Sequence, residues 1–351
     1  NPFAYIFTPL CIFSLSIRPR LSNARLSPRR AEANRAVVLP VEAQAGSAGQ
    51  PTVITQFKRL RGKPGFYRLG HFPGTAARMK RFEAHAPVLA AQAVEALLPP
   101  DERSAITHLI VTCCTGLSAP GIDLELIQRC GLPPTVERSM IGFMGCYAAI
   151  NGLKVARHIV RSEPMARVLA VNLELCTLHL HQTDNLDEIL SFLLFGDGCA
   201  AALVTAEPQG IALDSFHAAL VPGTSDLIRW HIREQGFDML LSGQVPAAIR
   251  EGLGGARGAI LDRGAVEGVD LWAVHPGGRT VLDAVEQAFA LPADALAVSR
   301  DILNRYGNMS SATVMFVLDQ MLRQGLAGAR GCAMAFGPGL VAETMRFHMA
   351  A

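Results

Sequence analysis

The chain has 351 residues, half of them hydrophobic, with a mean hydropathy of +0.26 and a formal net charge of +2 at pH 7. That length supports a large buried interior and two lobes of similar size. A charge so close to neutral gives no reason to expect a nucleic-acid partner, and no apolar run reaches the roughly 18 residues a spanning helix needs.

Eight cysteines are scattered along the chain without a CxxC pair. Neither a disulfide framework nor a structural zinc site is expected, and a reducing compartment, the cytoplasm, fits this usage. Residues 3–17, FAYIFTPLCIFSLSI, form an apolar patch interrupted by Pro9. Arginines follow the patch rather than precede it, the reverse of a secretory signal. The first residue is Asn rather than Met, as in a fragment or a mistranslated start. Residues 1–50 are therefore set aside as an atypical, poorly ordered N-terminal segment. The remainder divides into halves at 51–207 and 208–351.

From Ile106 onward the pattern becomes regular. HLIVTCC (108–114) is a short, β-branched apolar run and predicts a buried strand. GIDLELIQRCG has helical spacing and closes on Gly131 before a Pro-Pro pair, a helix stop. MIGFM reads as extended. From Cys146 to Arg161 the chain predicts a helix with Cys146, Ala149, Ile150, Leu153, Ala156 and Val160 on one face. RVLAVNLEL (167–175) predicts a strand, LDEILSFLLF a helix, and CAAALVTA a strand after the turn GDG (196–198). The second half repeats the alternation: IALDSFHAAL a strand, AAIREGLGGARGAILDRG largely helical, LWAV (271–274) a strand, then two helices. GCAMAFGPGLVAETMRF closes the chain as two strands around Gly337-Pro338-Gly339. Near-continuous apolar strands alternating with helices mean an α/β fold with sheets covered on both faces. Two such halves suggest a duplicated unit, although no sequence repeat demonstrates it.

Three polar residues stand where strands give way to turns or helices. Cys146 opens a helix, His275 ends LWAV, and Asn308 precedes a helix in YGNMSSAT. Together they are the parts of an activated thiol: the imidazole takes the proton and the amide orients or donates a hydrogen bond. A thiol with an ordinary pKa of about 8.5 must be lowered to act as a thiolate, and a helix N-terminus with an imidazolium can do that. Each residue also has a plain structural reading. A cysteine on an apolar helix face commonly fills core space, and Asn before a helix commonly serves as a cap. Other motifs fail: GLGGARG (252–258) lacks a preceding strand and the GxGxxG spacing, and no His, Asp and Glu cluster has metal-ligand spacing.

The order of the motifs carries more than any one of them. GCYAA at Cys146, FGDG at 195–198, HPGGR at 275–279, YGNMSS at 306–311 and FGPGLVAET at 336–344 follow one another. In that order, from about Phe66 to the C-terminus, the chain resembles the type III polyketide synthases, the chalcone and stilbene synthase family of the thiolase superfamily. The resemblance implies a layered αβαβα fold of two similar βαβαβ halves, an acyltransferase, and a homodimer. It implies acyl-CoA starters and malonyl-CoA as substrates, with no metal or redox cofactor. Cys146 would carry the acyl group, and His275 and Asn308 would form the decarboxylation and condensation site. Phe195 falls on the family's gatekeeping phenylalanine, and its second gatekeeper falls on Met239. Cys114, Cys176 and His179 fall near the starter and cyclisation pocket. Gly277, Gly278, Ser310, Gly337 and Pro338 match the tunnel and cavity scaffold. Ala119 replaces a methionine that in plant enzymes reaches into the partner. In FKRLRGK (57–63), Arg59 and Lys63 are candidates for the coenzyme's phosphates. The related single-condensation ketoacyl synthases share Cys, His and Asn but typically follow the histidine with Gln-Ala-Asn. A catalytically damaged homologue is the third reading, because the first 50 residues depart from the family.

Overall fold

The computed structural model describes the backbone of residues 4–13, and residues 66–67, 71–262 and 265–350. In chain order the main elements are strand β1 (Ala4–Phe13), helix α1 (Thr75–Leu97), β2 (His108–Cys113), α2 (Ile122–Cys130), β3 (Glu137–Gly142), α3 (Ala148–Ser162), β4 (Val168–Leu175), α4 (Leu186–Leu194) and β5 (Asp197–Thr205). There follow β6 (Ile211–Leu220), β7 (Ile228–Arg233), β8 (Gly236–Leu241), α5 (Val245–Ile260), β9 (Leu271–Val274), α6 (Arg279–Phe289), α7 (Ala297–Tyr306), α8 (Ala312–Arg323), β10 (Arg330–Gly337) and β11 (Val341–Met349).

The duplication that the sequence only suggests is plain in the topology. One nine-stranded sheet runs β3-β2-β4-β5-β1-β6-β11-β10-β9. Reading outward from β1, the next strand is antiparallel (β5), and β4 and β2 run parallel to β1. Reading outward from β6, the next strand is antiparallel (β11), and β10 and β9 run parallel to β6. The antiparallel β1–β6 pair joins the two units.

Residues 1–50, set aside on sequence, thus supply a sheet strand. Ile, Phe, Tyr and Thr suit a pleated ladder, and β1 pairs with both β5 and β6. Pro9, which interrupts the apolar run, lies where the register with β5 shifts between Phe7 and Cys11. That is where a residue without an N–H is tolerated. Residues 14–50 lie outside the described residues.

Helices α3 and α8 form the middle layer and pack against strands of both units. Ile150, Leu153 and Ala156 of α3 meet Val314, Phe316 and Val317 of α8 in one buried cluster. Helices α1 and α2 cover the far face of the first unit, where Phe82, Leu89 and Val94 pack on Leu109, Val111 and Val171. Helices α5 and α6 cover the second, with Ile249, Leu253 and Leu282 against Trp272 and Val274. The result is helix, sheet, helix, sheet, helix. The wholly buried strands β2 and β4 follow from it, since both their faces are covered. A hairpin of β7 and β8, not foreseen from the sequence, stands apart as a two-stranded sheet. No helix among the described residues is long and apolar enough to cross a membrane.

Candidate active site

The two units meet at the ends of equivalent elements. Cys146 lies in the 3-10 turn Gly145–Tyr147 that leads into α3. Asn308 and Ser310 lie in the turn before α8. His275 directly follows β9, as Cys114 directly follows β2. Cys146 and Asn308 therefore stand at the N-terminal ends of the two middle-layer helices, where unpaired N–H groups favour negative charge. Gly145 sets the approach. Its φ is +70°, and a Cβ there would lie 2.2 Å from Cδ of Pro338. Only glycine lets the turn Pro338–Leu340 close against the cysteine.

Cys146, His275 and Asn308 line a single cavity of about 800 Å³, measured out to its mouth. Sγ of Cys146 stands 4.0 Å from Oδ1 of Asn308. The amide's orientation is fixed: Oδ1 accepts from the Ser310 N–H at 2.9 Å, and Nδ2 donates to the Gly277 carbonyl at 3.3 Å. One Nδ2 hydrogen is left over. The Asn308 backbone is knitted to the FGDG turn, donating to Leu194 O at 2.9 Å and accepting from Gly196 N at 2.8 Å. The His275 backbone N–H donates to Met334 O at 2.8 Å. Its ring is buried, and neither ring nitrogen has a hydrogen-bond partner. Burial alone lowers its pKa to about 3, so the imidazole is neutral.

Burial likewise pushes the Cys146 thiol up to about 12, against the smaller opposing pull of hydrogen bonds from Ser310 and Asn308. Burial thus works against both the thiolate and the imidazolium.

Behind the cysteine lies a group that sequence reading missed. Glu174, the lone charge in the apolar strand β4, is fully buried. Its Oε2 accepts from the Cys114 N–H and the Thr115 hydroxyl, both at 3.0 Å, and its Oε1 accepts from the Ser311 hydroxyl at 2.6 Å. Burial nevertheless raises its pKa to about 7. An acidic residue inside an otherwise apolar run was the available signal.

The wall opposite is apolar and aromatic. On β8 the alternation of side chains brings Phe237, Met239 and Leu241 to the cavity together. Met239, the expected second gatekeeper, thus shares its face with Phe237, which the sequence reading passed over. Phe237 stacks on His179 with ring centroids 4.2 Å apart. Its N–H donates to His179 Nδ1 at 3.0 Å, and Nε2 of that ring donates to Thr115 O at 2.6 Å. With both nitrogens satisfied, His179 is neutral, and burial lowers its pKa to about 4. Trp230 donates from Nε1 to Cys114 O at 2.7 Å.

The turn Cys176–His179 is clamped from behind. The wholly buried Arg78 donates to the carbonyls of Leu178 and Leu180, and Thr177 donates through its N–H and hydroxyl to Asp197. Cys114, Cys176, Phe195, Gly277, Ser310, Gly337 and Pro338 also line the cavity. Gly278 caps α6 and lies outside the lining. Arg59 and Lys63 lie outside the described residues. No group of three His, Cys, Asp or Glu among the described residues could hold a metal ion.

Comparison with known proteins gives a consistent match. Residues 71–208 match the family "Chalcone and stilbene synthases, N-terminal domain", and residues 212–350 match its C-terminal domain. The chain is 34% identical over 286 residues to the alpha-pyrone synthesis polyketide synthase-like Pks18 of Mycobacterium tuberculosis, covering 78% of this chain and 73% of that protein. It is 34% identical over 301 residues to bisdemethoxycurcumin synthase of Oryza sativa subsp. japonica, covering 79% and 74%. The crystal structure of PKS-I from the brown alga Ectocarpus siliculosus superposes with a TM-score of 0.78 at 31% identity, covering 86% of this chain and 85% of that one.

Proposed function

The chain belongs to the chalcone and stilbene synthase family of type III polyketide synthases, and on that premise we propose a specific course for its acyltransferase chemistry. An acyl-CoA starter loads on Cys146, malonyl-CoA extends it with loss of carbon dioxide, and the cavity folds the chain into a pyrone or aromatic ring. The observation that carries this reading is the His275 ring, buried in the cavity with Cys146 and Asn308 and without a partner for either nitrogen. Unpaired buried polar atoms are costly, and natural proteins retain them where a ligand completes them.

In the loading step the Cys146 thiol passes its proton to His275 as sulfur attacks the starter thioester. The departing coenzyme A thiolate takes that proton, and His275 returns to its neutral form. In the extension step the malonyl thioester oxygen lies against the His275 N–H and the free Nδ2 hydrogen of Asn308. Carbon dioxide leaves, and the electron pair it abandons is shared with that oxygen. The carbanion then attacks the acyl carbonyl on Cys146 and expels the sulfur, which takes up the one proton per extension that decarboxylation draws from solvent. Donors fixed in advance stabilise the charge without reorganisation, and the apolar walls of Phe195, Phe237 and Met239 keep out water that would quench the carbanion. The reaction balances without a metal or redox cofactor. The name of the mycobacterial relative supports a pyrone product.

The reading includes a homodimer in the cytoplasm. The edge strand β3 supports the dimer, because Met140 on it is 41% exposed and Leu117, 44% exposed, lies beside its last residue, Gly142. Light scattering tests it, and a mass of one chain would reject it.

Incubation with labelled malonyl-CoA and a panel of acyl-CoA starters tests the activity. Carbon dioxide release and a cyclised product are expected, and folded protein that releases none with any starter refutes the reading. Cys146→Ser is expected to abolish the acyl-enzyme while leaving the fold intact.

A further inference from the structure

Two residues beyond His179 lies a histidine with the opposite hydrogen-bonding demand. His181 is mostly buried, with 11% of its side chain exposed. Its Nδ1 faces the His179 carbonyl at 3.1 Å, and its Nε2 faces Glu188 Oε2 at 3.2 Å and Asp238 Oδ1 at 3.6 Å. Every one of these neighbours is an acceptor. The ring therefore bridges a backbone carbonyl on one side and two carboxylates on the other.

The partners of this ring belong to two walls of the cavity. Glu188 lies on α4, one helical turn before Ser191 and Phe192, both of which line the chamber. The Phe192 ring meets His181 edge-on, with centroids 4.8 Å apart. Asp238 lies on β8 between Phe237 and Met239, also both lining. Asp238 is held in turn by Arg233 of β7, whose Nε lies 3.2 Å from Oδ2. Apart from Arg233, no other charged side chain joins this contact among the described residues.

We propose that His181 is a positioning residue that ties helix α4 to the β7–β8 hairpin and so fixes the width of the chamber, and with it the acyl chains that fit. This rests on the reading that the chamber receives the starter acyl group. His181 touches no reacting atom. It acts through the backbone of two walls that would otherwise meet only through apolar contact, which sets volume but not separation.

Two variants and two readouts test the proposal. His181→Leu keeps an apolar body and removes the ring nitrogens, and His181→Arg supplies several donors to the same carboxylates. For a tie made by charge-assisted hydrogen bonds, His181→Leu is expected to raise the KM for the preferred starter about tenfold with kcat within about threefold, since the donors at His275 and Asn308 are untouched. It should also broaden the range of acyl lengths accepted. His181→Arg is expected to restore KM to within about twofold of the original. Starter affinity is read without turnover as the acyl-CoA concentration that half-protects Cys146 from a small thiol reagent, followed by peptide mass spectrometry. A folded His181→Leu protein with unchanged affinity and an unchanged starter profile overturns the proposal. Absence of carbon dioxide release from the unaltered enzyme would instead sink the polyketide reading, and the protection experiment would still decide the role of His181.

Discussion

The polar groups on the two sides of Cys146 are treated in opposite ways. Toward β4, Glu174 is closed off by donors from Cys114, Thr115 and Ser311, and Thr115 accepts in turn from the Leu175 N–H at 2.8 Å. Toward β9, the His275 ring is as deeply buried and has nothing to bond. Burial costs both groups, but only the first is compensated within the protein. On the proposed reading the difference separates scaffold from reagent: saturated groups hold the surroundings of Cys146 in place, and the open one is left for a ligand atom.

The pH dependence follows with opposite signs. Glu174 has its pKa raised in the folded state to about 7 from an ordinary 4.5. Between those values the unfolded chain sheds a proton that the folded chain keeps, so Glu174 costs stability as pH rises through that window. His275 is lowered to about 3 from 6.5. Below 6.5 the unfolded chain gains a proton that the folded chain refuses, so His275 costs stability as pH falls.

The largest effect is expected at the open side. His275→Phe fills the same space without nitrogens. Malonyl-CoA decarboxylation should fall about 10²–10³-fold, the usual loss for a missing oxyanion donor. Stability at pH 5 should stay level or rise, because the penalty on the acid side is gone. Denaturant melts alongside carbon dioxide assays check this. A variant that loses stability as heavily as activity would break the distinction, because His275 would then be scaffold too.

A smaller effect is expected at the closed side. Glu174→Gln keeps the shape and can still accept from Cys114 and donate to Ser311. It should gain roughly 1–3 kcal/mol over the unaltered protein at pH 8, shrinking toward pH 4.5, since only the carboxyl suffers the alkaline penalty. Melts across that range test it, and equal stability at both ends would mean that Glu174 is not strained by burial.

The same contrast explains what could be read from the sequence. Cys146, His275 and Asn308 were legible because each sits at an element boundary that apolar periodicity marks, and because the motifs keep their order. LWAV coincides with β9 to the residue. The closed side was not legible: Glu174 draws its role from hydroxyls 59 residues before it and 137 after it, at Thr115 and Ser311. Phe237 and Trp230 were missed for a similar reason, since their hairpin packs on the chamber rather than on the layered core, and short half-buried strands carry a weak period. The strand β1 was hidden by its arginine-rich sequel and by Pro9. Its place emerges only from the partners β5 and β6, far along the chain, as in the pairs of Tyr5 with Thr205 and Ala4 with Leu213.

The smallest predicted effect is the sharpest test of the closed side. Ser311→Ala removes the 2.6 Å donor to Glu174 Oε1 and a longer 3.4 Å contact with the Thr112 hydroxyl, and the Ser311 side chain does not cap α8. That hydrogen bond lowers the carboxyl's pKa, so its loss should carry the value above about 7 and extend the alkaline penalty upward. The variant should lose about 1 kcal/mol at pH 5, where a neutral carboxyl misses one partner, and more at pH 8, where an ionised one misses a charge-assisted bond. Condensation at pH 7 should change by less than the loss at His275. Equal losses at pH 5 and pH 8 would mean that the hydroxyl only fills space, and Glu174 would then be held by the Cys114 N–H and Thr115 alone.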